Sequence, residues 1–382
     1  MEILLSMLAV LASALIIARA CDGFEVAADY LGRNMSEGVK GATINAVGSS
    51  MPELFATAVF LFVFFDVSGF AGGIGTTAGS AVFNTMIIPA VSVIAAMRIF
   101  RLASVPVSKK VILRDGLVLL SAEFVLILLI GDTLDWWHGL ILMSIYILYV
   151  VFMLTTMKQV DGDNCVGDED EDEGEDESVA HGSRLAAFVK LDLEYAVIGE
   201  RPLDNGSSAR LLGVATLFIA AACYLLVLAC ESLGLAIGIQ GYFVAVILAA
   251  AASSVPDTIL SVKDAKKGNY DDAVSNALGS NIFDICFALG LPLFIYTCLY
   301  GEIVLTDTTS GHITELRLLL FVLTALAFLV FYLGSGIGKF KAYVLLLLYF
   351  IFAGLIAGSA VDAHWAREVM DPIATWGSML RL

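Results

Sequence analysis

Residues 48–53 read Gly-Ser-Ser-Met-Pro-Glu, and residues 252–257 repeat the pattern as Ala-Ser-Ser-Val-Pro-Asp. Each copy places two hydroxyls, a proline and a carboxylate inside a long apolar segment. Each is followed by a companion, Gly-Ser-Ala-Val-Phe-Asn at 79–84 and Gly-Ser-Asn-Ile-Phe-Asp at 279–284. Polar, helix-interrupting groups placed twice in lipid, at corresponding positions of two halves, indicate the binding site of a transported cation.

The composition is that of a polytopic membrane protein. The chain has 382 residues, of which 59% are hydrophobic, and this is too apolar for a soluble domain. The net charge of −17 is concentrated, because residues 161–177 alone hold eleven acidic side chains. This net negative charge argues against a nucleic-acid partner, because it would repel the phosphate backbone. The six cysteines show no CxxC spacing and are interpreted as small buried hydrophobes. We expect no cofactor, and a transporter rather than an enzyme.

Ten apolar segments are each long enough to cross about 30 Å of hydrocarbon. They fall at roughly 2–29, 38–65, 70–97, 110–131, 135–157, 208–231, 236–263, 270–298, 314–334 and 339–360. Five precede and five follow a polar stretch, so the second half must enter the membrane with the opposite orientation. The predicted fold is therefore an all-α integral membrane protein. It has ten transmembrane helices in two inverted-topology repeats of five, with breaks in helices 2, 3, 7 and 8.

The division of the chain follows from this plan. Residues 1–157 are predicted to form the first repeat, residues 208–382 the second, and residues 158–207 an acidic loop between them. The composition of the loop favours a disordered, solvated linker. A regulatory or Ca²⁺-attracting segment is the alternative, although the ligand pattern of an EF-hand is missing.

Positive charges mark one side of the predicted membrane. Lysines and arginines occur in the loops after helices 1, 3, 5, 7 and 9, whereas the opposite loops at 66–69, 132–134, 232–235 and 299–313 contain none. The positive-inside rule then places both termini outside and the acidic loop in the cytoplasm. Arg317, just inside helix 9, is a near exception.

The N-terminal apolar segment needs a separate interpretation, because its start resembles a secretory leader. It carries Glu2 and no basic residue before the apolar run, which is wrong for a signal peptide. We expect a retained first helix and a location in the cell (inner) membrane.

Glu53 and Asp257 are the centre of the predicted site. An ionisable side chain at mid-membrane costs about 2.5–3.5 kcal/mol on insertion scales, so it persists only when it is paired, solvated or coordinated. The nearest basic residues lie at the cytoplasmic helix ends. The proline before each acid disfavours a continuous helix, and the carbonyls that are freed face a cavity. Ligation by oxygen alone suits Na⁺ and Ca²⁺ rather than zinc or copper.

The third helix of each half adds its own polar groups to the predicted site. Their i, i+4 spacing puts both members of each pair on one helix face: Ser80 with Asn84, and Ser280 with Asp284. The glycines that precede the serines, Gly79 and Gly279, are expected to let neighbouring helices approach closely.

These motifs resemble the alpha-1 and alpha-2 repeats of the calcium/cation antiporter superfamily. The specific motifs span about 40–90 and 246–292, and within the superfamily the chain is most similar to sodium/calcium exchangers, especially the potassium-dependent branch. The resemblance implies alternating access, in which helices 1 and 6 move against the other eight. It also implies a set of Ca²⁺ and Na⁺ ligands: Glu53, Asp257, Ser49, Ser50, Ser253, Ser254, Ser80, Asn84, Ser280, Asp284 and the carbonyls of Ala46 and Ala250.

The chain departs from the family pattern in ways that bear on ion choice. Ala252 stands where family members usually have glycine, so the second helix break is expected to be less sharp. The frequent Gly-Thr-Ser is Gly-Ser-Ser in the first repeat, which keeps the hydroxyls. Ser49 and Ser253 stand where cation/proton exchangers carry asparagine, which favours Na⁺ over H⁺ as the driving ion.

The sequence leaves other interpretations open. Ca²⁺ with K⁺, or three Na⁺, would balance the charges of Glu53, Asp257 and Asp284. The potassium-dependent branch typically has aspartate at the position of Asp284, but a protonated Asp284 would leave a balanced Ca²⁺ site without K⁺. A Ca²⁺/H⁺ or other cation exchanger is the first alternative. A non-transporting membrane protein that binds Ca²⁺ through its acidic loop is the more distant one.

Overall fold

A computed structural model describes residues 1–31, 33, 46–64, 67–160, 184–305, 307–334 and 336–379. These residues form an all-α molecule, and the extended segments among them are four strands of two residues each. The acidic run at 161–177, and with it the predicted regulatory segment, lies outside the described residues.

The helices of the first half follow the predicted apolar segments. The second predicted helix is divided in two, and the others are single. The elements are α1 (Glu2–Leu31), α2 (Ala46–Ser49), α3 (Met51–Phe64), α4 (Val67–Phe100), β1 (Ser104–Val105), α5 (Lys109–Leu129), β2 (Thr133–Leu134) and α6 (Trp136–Val160).

Two short helices, α7 (Arg184–Lys190) and α8 (Leu193–Val197), precede the second half. Two π-helical turns, π1 and π2, then interrupt its helices. The elements are α9 (Asn205–Ile237), α10 (Gly241–Val244), π1 (Ala245–Ala249), α11 (Ala250–Ser253), α12 (Val255–Lys267), α13 (Tyr270–Phe283), π2 (Asp284–Ala288), α14 (Gly290–Tyr300), β3 (Ile303–Val304), α15 (Asp307–Tyr332), β4 (Ile337–Gly338) and α16 (Lys339–Ala360). A helix that no prediction covered, α17 (His364–Met379), follows.

Seven helices in the described part of the chain are long and apolar enough to cross a membrane, or eight if the helices before and after Ser254, bent by 41°, count as one span. The chain is therefore an integral, multi-pass membrane protein. The helix α5 falls short of this test because Arg114, Asp115 and Glu123 interrupt its apolar sequence.

Two of the four predicted helix breaks are present. Ser50 separates α2 from α3, and Ser254 separates α11 from α12. The eighth predicted helix is distorted by π2 and by a turn at Leu289, and then continues as α14. Insertions of this kind occur mostly at functional sites.

The prediction of a break in the third helix is wrong, because α4 runs continuously over Val67–Phe100. No proline stands next to its Gly-Ser motif. The hydroxyl of Thr76 donates to the carbonyl of Gly72 at 2.9 Å, and that of Thr77 to Gly73 at 3.3 Å. These hydroxyls are thus satisfied within their own helix, and they do not interrupt it.

The prediction of a disordered linker over 158–207 is wrong for its C-terminal part. Residues 184–197 form α7 and α8, and Leu193 and Ile198 are buried in one cluster with α1 and α9. The helix α9 then begins with a capping box, in which Asp204 accepts from the Ser207 N–H at 2.5 Å and donates its own N–H to the Ser207 hydroxyl at 2.9 Å. The composition of residues 158–207 as a whole did not reveal α7 and α8, because the acidic run at 161–177 outweighs the apolar residues of these two helices.

Buried apolar side chains form two clusters. One is centred between α1 and α9 and includes Ile17 and Leu226. The other joins α4, α5, α13 and α15, and includes Leu119 and Leu316. The helices α1 and α9 therefore pack chiefly against each other, as a unit beside the larger cluster.

Two antiparallel strand pairs connect the halves. The strands β1 and β4 pair Ser104 with Gly338, and β2 and β3 pair Thr133 with Val304. Each pair joins a loop of the first half to a loop of the second half, so the two halves are interlocked at both strand pairs.

The near exception to the charge rule, Arg317, is a helix cap. It lies in α15 with 2% of its surface exposed. Its Nη1 donates to the carbonyls of Leu126, Ile127 and Ile130 at 3.2, 3.1 and 2.7 Å. These carbonyls lie at the end of α5, where helix carbonyls carry a partial negative charge. The Leu126 carbonyl also accepts the Ile130 N–H at 3.2 Å. The charge of Arg317 is thus compensated by backbone carbonyls inside the protein. The residue therefore does not count against the placement of basic loops on one side of the membrane.

Replacing Arg317 by methionine is expected to remove its buried hydrogen bonds to the end of α5 and to lower stability by about 3 kcal/mol. The thermal unfolding midpoint of the detergent-solubilised protein measures the loss. Lysine at this position is expected to be intermediate, because an ammonium cannot match the guanidinium fork. The control is Arg367→Met, since Arg367 pairs with Asp362 at an exposed site. Equal midpoints for the two methionine variants would contradict the capping role.

Candidate cation-binding site

The carboxylates of the repeated motif lie in the first turns of α3 and α12. Each helix starts immediately after the interruption, at Ser50 or Ser254. The proline falls in the first turn, where backbone N–H groups have no intrahelical acceptor, so its missing N–H removes no bond. Glu53 and Asp257 are both completely buried.

Ser80 of the unbroken α4 joins the two halves of the site. Its Oγ lies 3.1 Å from Glu53 Oε1, 3.1 Å from Asp284 Oδ2 and 2.8 Å from Ser254 Oγ. A hydroxyl has a single proton to donate, so Ser80 cannot satisfy both carboxylates at once. The cluster therefore holds more acceptors than donors.

Asp257 is the one acid of the three with both oxygens hydrogen-bonded. Its Oδ1 accepts from the Ser280 hydroxyl at 2.8 Å, and its Oδ2 accepts from the amide of Asn84 at 3.2 Å. Asn84 comes from the first half and Asp257 from the second, so α4 and α12 meet at the site. The first half mirrors part of this arrangement, because Ser80 lies beside Glu53 as Ser280 lies beside Asp257.

Three oxygens of the site have no hydrogen-bond donor in the described part of the chain: Glu53 Oε2, Asp284 Oδ1 and Asn84 Oδ1. Within the described part of the chain, Glu53, Asp257 and Asp284 form no ion pair with a basic side chain. Burial of a carboxylate away from water is costly unless a counter-charge or donors compensate. An oxygen-rich and donor-poor cluster of this kind fits a cation.

The type of cation site follows from the mixed chemistry of these groups. No three His, Cys, Asp or Glu side chains in the described ranges lie close enough together to hold a metal ion. A cation here would be held by carboxylate, amide and hydroxyl oxygens together. Such ligands suit Na⁺, K⁺ and Ca²⁺ rather than a transition metal.

The glycines of the companion motif do not behave alike. A Cβ on Gly79 would collide with the carbonyl oxygen of Val246 and lie 2.8 Å from the Cβ of Ala250. The expectation that Gly79 permits a close helix crossing is therefore confirmed. For Gly279 it is wrong, because the nearest atom to an added Cβ is the Tyr149 hydroxyl at 3.8 Å.

The remaining predicted ligands border the hydrogen-bonded cluster described above. The Ser253 hydroxyl donates to the Ala250 carbonyl at 3.1 Å, and the Ser254 N–H donates to the same oxygen at 3.1 Å. Both lone pairs of that carbonyl are thus engaged, so it is not offered to a cation in this conformation. Ser50 is fully buried beside Asp284. Ser49 lies within hydrogen-bonding reach of Asp257 and also lines an adjacent cavity. Ala46, the other predicted carbonyl ligand, is the first residue of α2.

Sequence reasoning missed Asn281, which follows Ser280 and is completely buried. Its amide nitrogen donates to the Ala81 carbonyl at 3.0 Å and to the Thr85 hydroxyl at 2.7 Å. These bonds tie α13 to α4 beside the site. The available signal was that Asn281 replaces the alanine of the first companion motif.

A family model described as sodium/calcium exchanger protein matches residues 5–155 and 207–358. These ranges contain both repeated motifs and leave out the acidic run.

Curated relatives match a shorter part of the chain. The sodium/potassium/calcium exchanger 4 of Mus musculus is 39% identical over 127 residues, covering 33% of this chain and 19% of the relative. The sodium/potassium/calcium exchanger 2 of Gallus gallus is 34% identical over 135 residues, covering 35% of this chain and 21% of the relative. The matches thus span only about one fifth of the length of these relatives.

Solved structures share the fold over nearly the whole chain. A crystal structure of the H⁺/Ca²⁺ exchanger CAX has a TM-score of 0.66 at 15% identity, covering 98% of this chain and 91% of that one. The sodium-calcium exchanger NCX_Mj, soaked with Na⁺ and Sr²⁺, has a TM-score of 0.53 at 20% identity, covering 91% of this chain and 97% of that one. At these identities the likeness concerns the fold alone.

Proposed function

The chain belongs to the sodium/calcium exchanger protein family, and from that premise we propose that it exchanges Na⁺ for Ca²⁺ across a membrane by alternating access. The observation that carries the proposal is the cluster of three buried acids, Glu53, Asp257 and Asp284. Among the residues that the structure describes, these acids have no basic partner, and two of their carboxylate oxygens have no donor. Acids persist in lipid when they bind the transported ion. The family consists of exchangers, so no enzymatic activity is proposed.

We assign the ligands from the hydrogen-bonded cluster outward. Its centre consists of Glu53, Asp257 and Asp284, which supply the negative charge. The neutral oxygens come from the remaining members of the predicted set: Asn84, Ser80, Ser254, Ser280, Ser50, Ser49, Ser253 and the Ala46 carbonyl. Competition between Na⁺ and Ca²⁺ for this one set couples the two fluxes, because the site empties toward one side only when the other ion replaces its occupant.

The strand pairs support ten spans in two inverted repeats. In that plan the loop of β1 follows span 3 and that of β4 follows span 9, so both lie on one side of the membrane. The loops of β2 and β3 follow spans 4 and 8, on the other side. In the two repeats, β3 occupies the position equivalent to β1, and β4 the position equivalent to β2. The β1–β4 pair and the β3–β2 pair are therefore equivalent, as an internal two-fold axis requires. Residues 1–157 and 208–382 are then the two repeats.

The orientation of the protein follows from charge. The basic residues beside β1 and β4, among them Lys109 and Lys341, lie at one end of the molecule. Acidic Asp132 and Glu302 lie beside β2 and β3. We propose that the basic end is cytoplasmic, with both termini outside and the acidic loop inside, in the cell membrane. The helices α1 and α9, which share their own buried cluster, are the unit that moves against the rest.

Gradient-driven uptake into proteoliposomes tests this function. An outward Na⁺ gradient is expected to drive ⁴⁵Ca²⁺ uptake, and a pH gradient without Na⁺ is expected to drive none. Ser49 and Ser253, where proton exchangers have asparagine, support Na⁺. Uptake driven by pH alone would favour the second candidate, a Ca²⁺/H⁺ exchanger, whose fold the chain also shares.

Deletion of residues 161–177 tests the distant alternative of a non-transporting Ca²⁺-binding protein. A transporter whose site lies between α3 and α12 should keep its Ca²⁺ flux without this run. Loss of Ca²⁺ binding and the absence of flux in the intact chain would favour the loop instead.

Asp284 is the position where K⁺ participation can be decided. Ca²⁺ and K⁺ together balance three carboxylates, whereas Ca²⁺ alone balances two. Asp284→Asn is therefore expected to abolish the dependence of ⁴⁵Ca²⁺ uptake on K⁺ while preserving Na⁺-driven uptake within about tenfold. Uptake is measured with K⁺ or with an impermeant organic cation on the Ca²⁺ side.

The matched control is Glu123→Gln, because Glu123 is a buried acid of α5 that accepts from Thr324 at 2.8 Å, apart from the site. It should keep the K⁺ dependence of the unaltered protein. Persistence of K⁺ dependence in Asp284→Asn would overturn the assignment of Asp284 to K⁺. Flux without any K⁺ dependence in the unaltered chain would remove K⁺ from the proposal.

A further inference from the structure

A small cavity of about 20 Å³ lies between α1 and α12, directly beside the carboxylate site. Its walls include Asp22 and Glu25 of α1, Ser49 of α2 and Pro256 of α12. Ser49 and Pro256 are themselves part of the repeated motif, and Pro256 directly precedes Asp257. A volume of this size holds about one water molecule, and we refer to this constriction beside the site as the neck.

The position of the neck in the fold is informative. The helix α1 belongs to the cluster that it shares with α9, whereas Ala265 at the far end of α12 belongs to the larger cluster. The cavity therefore lies between a helix of the smaller cluster and a helix that reaches the larger one. Movement of α1 relative to α12 would widen or close the neck.

One lysine stands among several acids at the mouth of this neck. Lys263 Nζ of α12 lies 3.8 Å from Asp22 Oδ1 of α1, and these side chains are 55% and 46% exposed. Glu25 lies within electrostatic reach of Lys263, Asp22, Asp29 and Asp264. A half-exposed ion pair at this distance contributes little to stability, about 0–1 kcal/mol, so the ammonium can leave Asp22 readily.

We propose that this neck is the route by which cations reach the site from one face of the membrane, and that Lys263 controls cation capture at its mouth. The inference rests on the proposed function. An arriving cation takes the place of the Lys263 ammonium beside Asp22, and then passes Ser49 to reach Glu53 and Asp257. The lysine lowers the negative potential of the mouth, so it limits the capture of cations and acts more strongly against divalent than against monovalent ions.

The effect has a signature that a purely structural role lacks. Coulomb energy is proportional to the charge of the ion, so the fold-change in apparent affinity for Ca²⁺ should be the square of that for Na⁺. A unit charge that acts through water over about 8 Å changes affinity about fivefold for a divalent ion and a little over twofold for a monovalent ion, and we expect changes of this order on neutralisation of the lysine. Both changes should shrink when salt is raised from about 0.01 to 0.15 M, since the screening length falls from about 30 to 8 Å.

The experiment compares Lys263→Gln and Asp22→Asn in sealed vesicles of defined orientation, with the ion concentrations varied on one face at a time. Lys263→Gln is expected to lower the half-saturating concentrations of Ca²⁺ and Na⁺ on one face only. Asp22→Asn is expected to raise them on the same face. The control is Lys266→Gln, which removes the same charge from an exposed position of the same helix, three residues beyond the lysine that pairs with Asp22.

Each result is decisive for a different claim. Failure of the unaltered chain to couple Na⁺ and Ca²⁺ gradients overturns the antiport function, and ⁴⁵Ca²⁺ exchange against unlabelled Ca²⁺ in the same vesicles still tests the route. Equal affinities for Lys263→Gln and Lys266→Gln overturn the route, as do changes that are equal for both ions or insensitive to salt. If either Lys263→Gln or Asp22→Asn fails to yield monodisperse protein, the other variant tests the route, because the two are expected to change the apparent affinity in opposite directions.

Discussion

Replacing Glu53 by glutamine or Asp257 by asparagine is expected to lower Na⁺-driven Ca²⁺ uptake by about 100-fold or more. Each change removes a negative charge from a fully buried cluster while preserving the shape of the side chain. Loss of one partner from a buried charge pair costs about 3–5 kcal/mol, and each 1.4 kcal/mol is about tenfold in an equilibrium constant. Initial rates of ⁴⁵Ca²⁺ uptake into proteoliposomes measure the effect.

Glu123→Gln is the control for this prediction as well. Glu123 is equally buried, and its Oε2 likewise has no donor among the described residues. Its Oε1 accepts from Thr324 of α15 at 2.8 Å and not from a residue of the site. A glutamine carbonyl can accept the same bond, so uptake near that of the unaltered protein is expected. Substantial uptake in both site variants, or an equal loss in the control, would remove Glu53 and Asp257 from the transport site.

The second large effect is expected at Gly79. An added Cβ meets the backbone carbonyl of Val246, which cannot swing aside as a flexible side chain would. Gly79→Ala should therefore push α4 away from π1 and displace the neighbouring Ser80 from Glu53. Overpacking of this kind costs about 1–3 kcal/mol. We expect a lower thermal unfolding midpoint and a loss of Ca²⁺ uptake of about tenfold or more.

The corresponding glycine of the second repeat supplies the control. Gly279→Ala places its Cβ no closer than 3.8 Å to any neighbour, the Tyr149 hydroxyl, which is ordinary contact. Stability and uptake should be close to those of the unaltered protein. Equal behaviour of the two alanine variants would show that the close crossing at Gly79 does not position the site.

Much of the site could be predicted because its chemistry is local. Prolines and acids that interrupt apolar segments mark the starts of α3 and α12, and the i, i+4 spacing places Ser80 and Asn84 on one face of α4. The same local pattern misled where side chains bond within their own helix. The Thr76 hydroxyl returns to the Gly72 carbonyl, so a polar, glycine-rich stretch forms an unbroken helix.

Other features depend on contacts between distant elements, which one sequence does not reveal. The role of Asn281 exists only because α13 crosses α4 at Ala81 and Thr85. From the sequence alone, Arg317 is interpreted as a basic residue on the wrong side of the membrane. The structure explains it, because its guanidinium donates to carbonyls at the end of α5. The difference between Gly79 and Gly279 likewise comes from what packs opposite each glycine, since both occupy the same position of the repeated Gly-Ser motif.

Equilibrium binding of ⁴⁵Ca²⁺ to the purified, detergent-solubilised protein tests the central claim most directly, namely that Na⁺ and Ca²⁺ share one site at Glu53 and Asp257. We expect saturable binding that Na⁺ displaces competitively, while an organic monovalent cation at the same ionic strength does not. Glu53→Gln and Asp257→Asn should lose this binding, and Glu123→Gln should keep it. Ca²⁺ binding that Na⁺ leaves unchanged, or that survives in both site variants, would contradict the account.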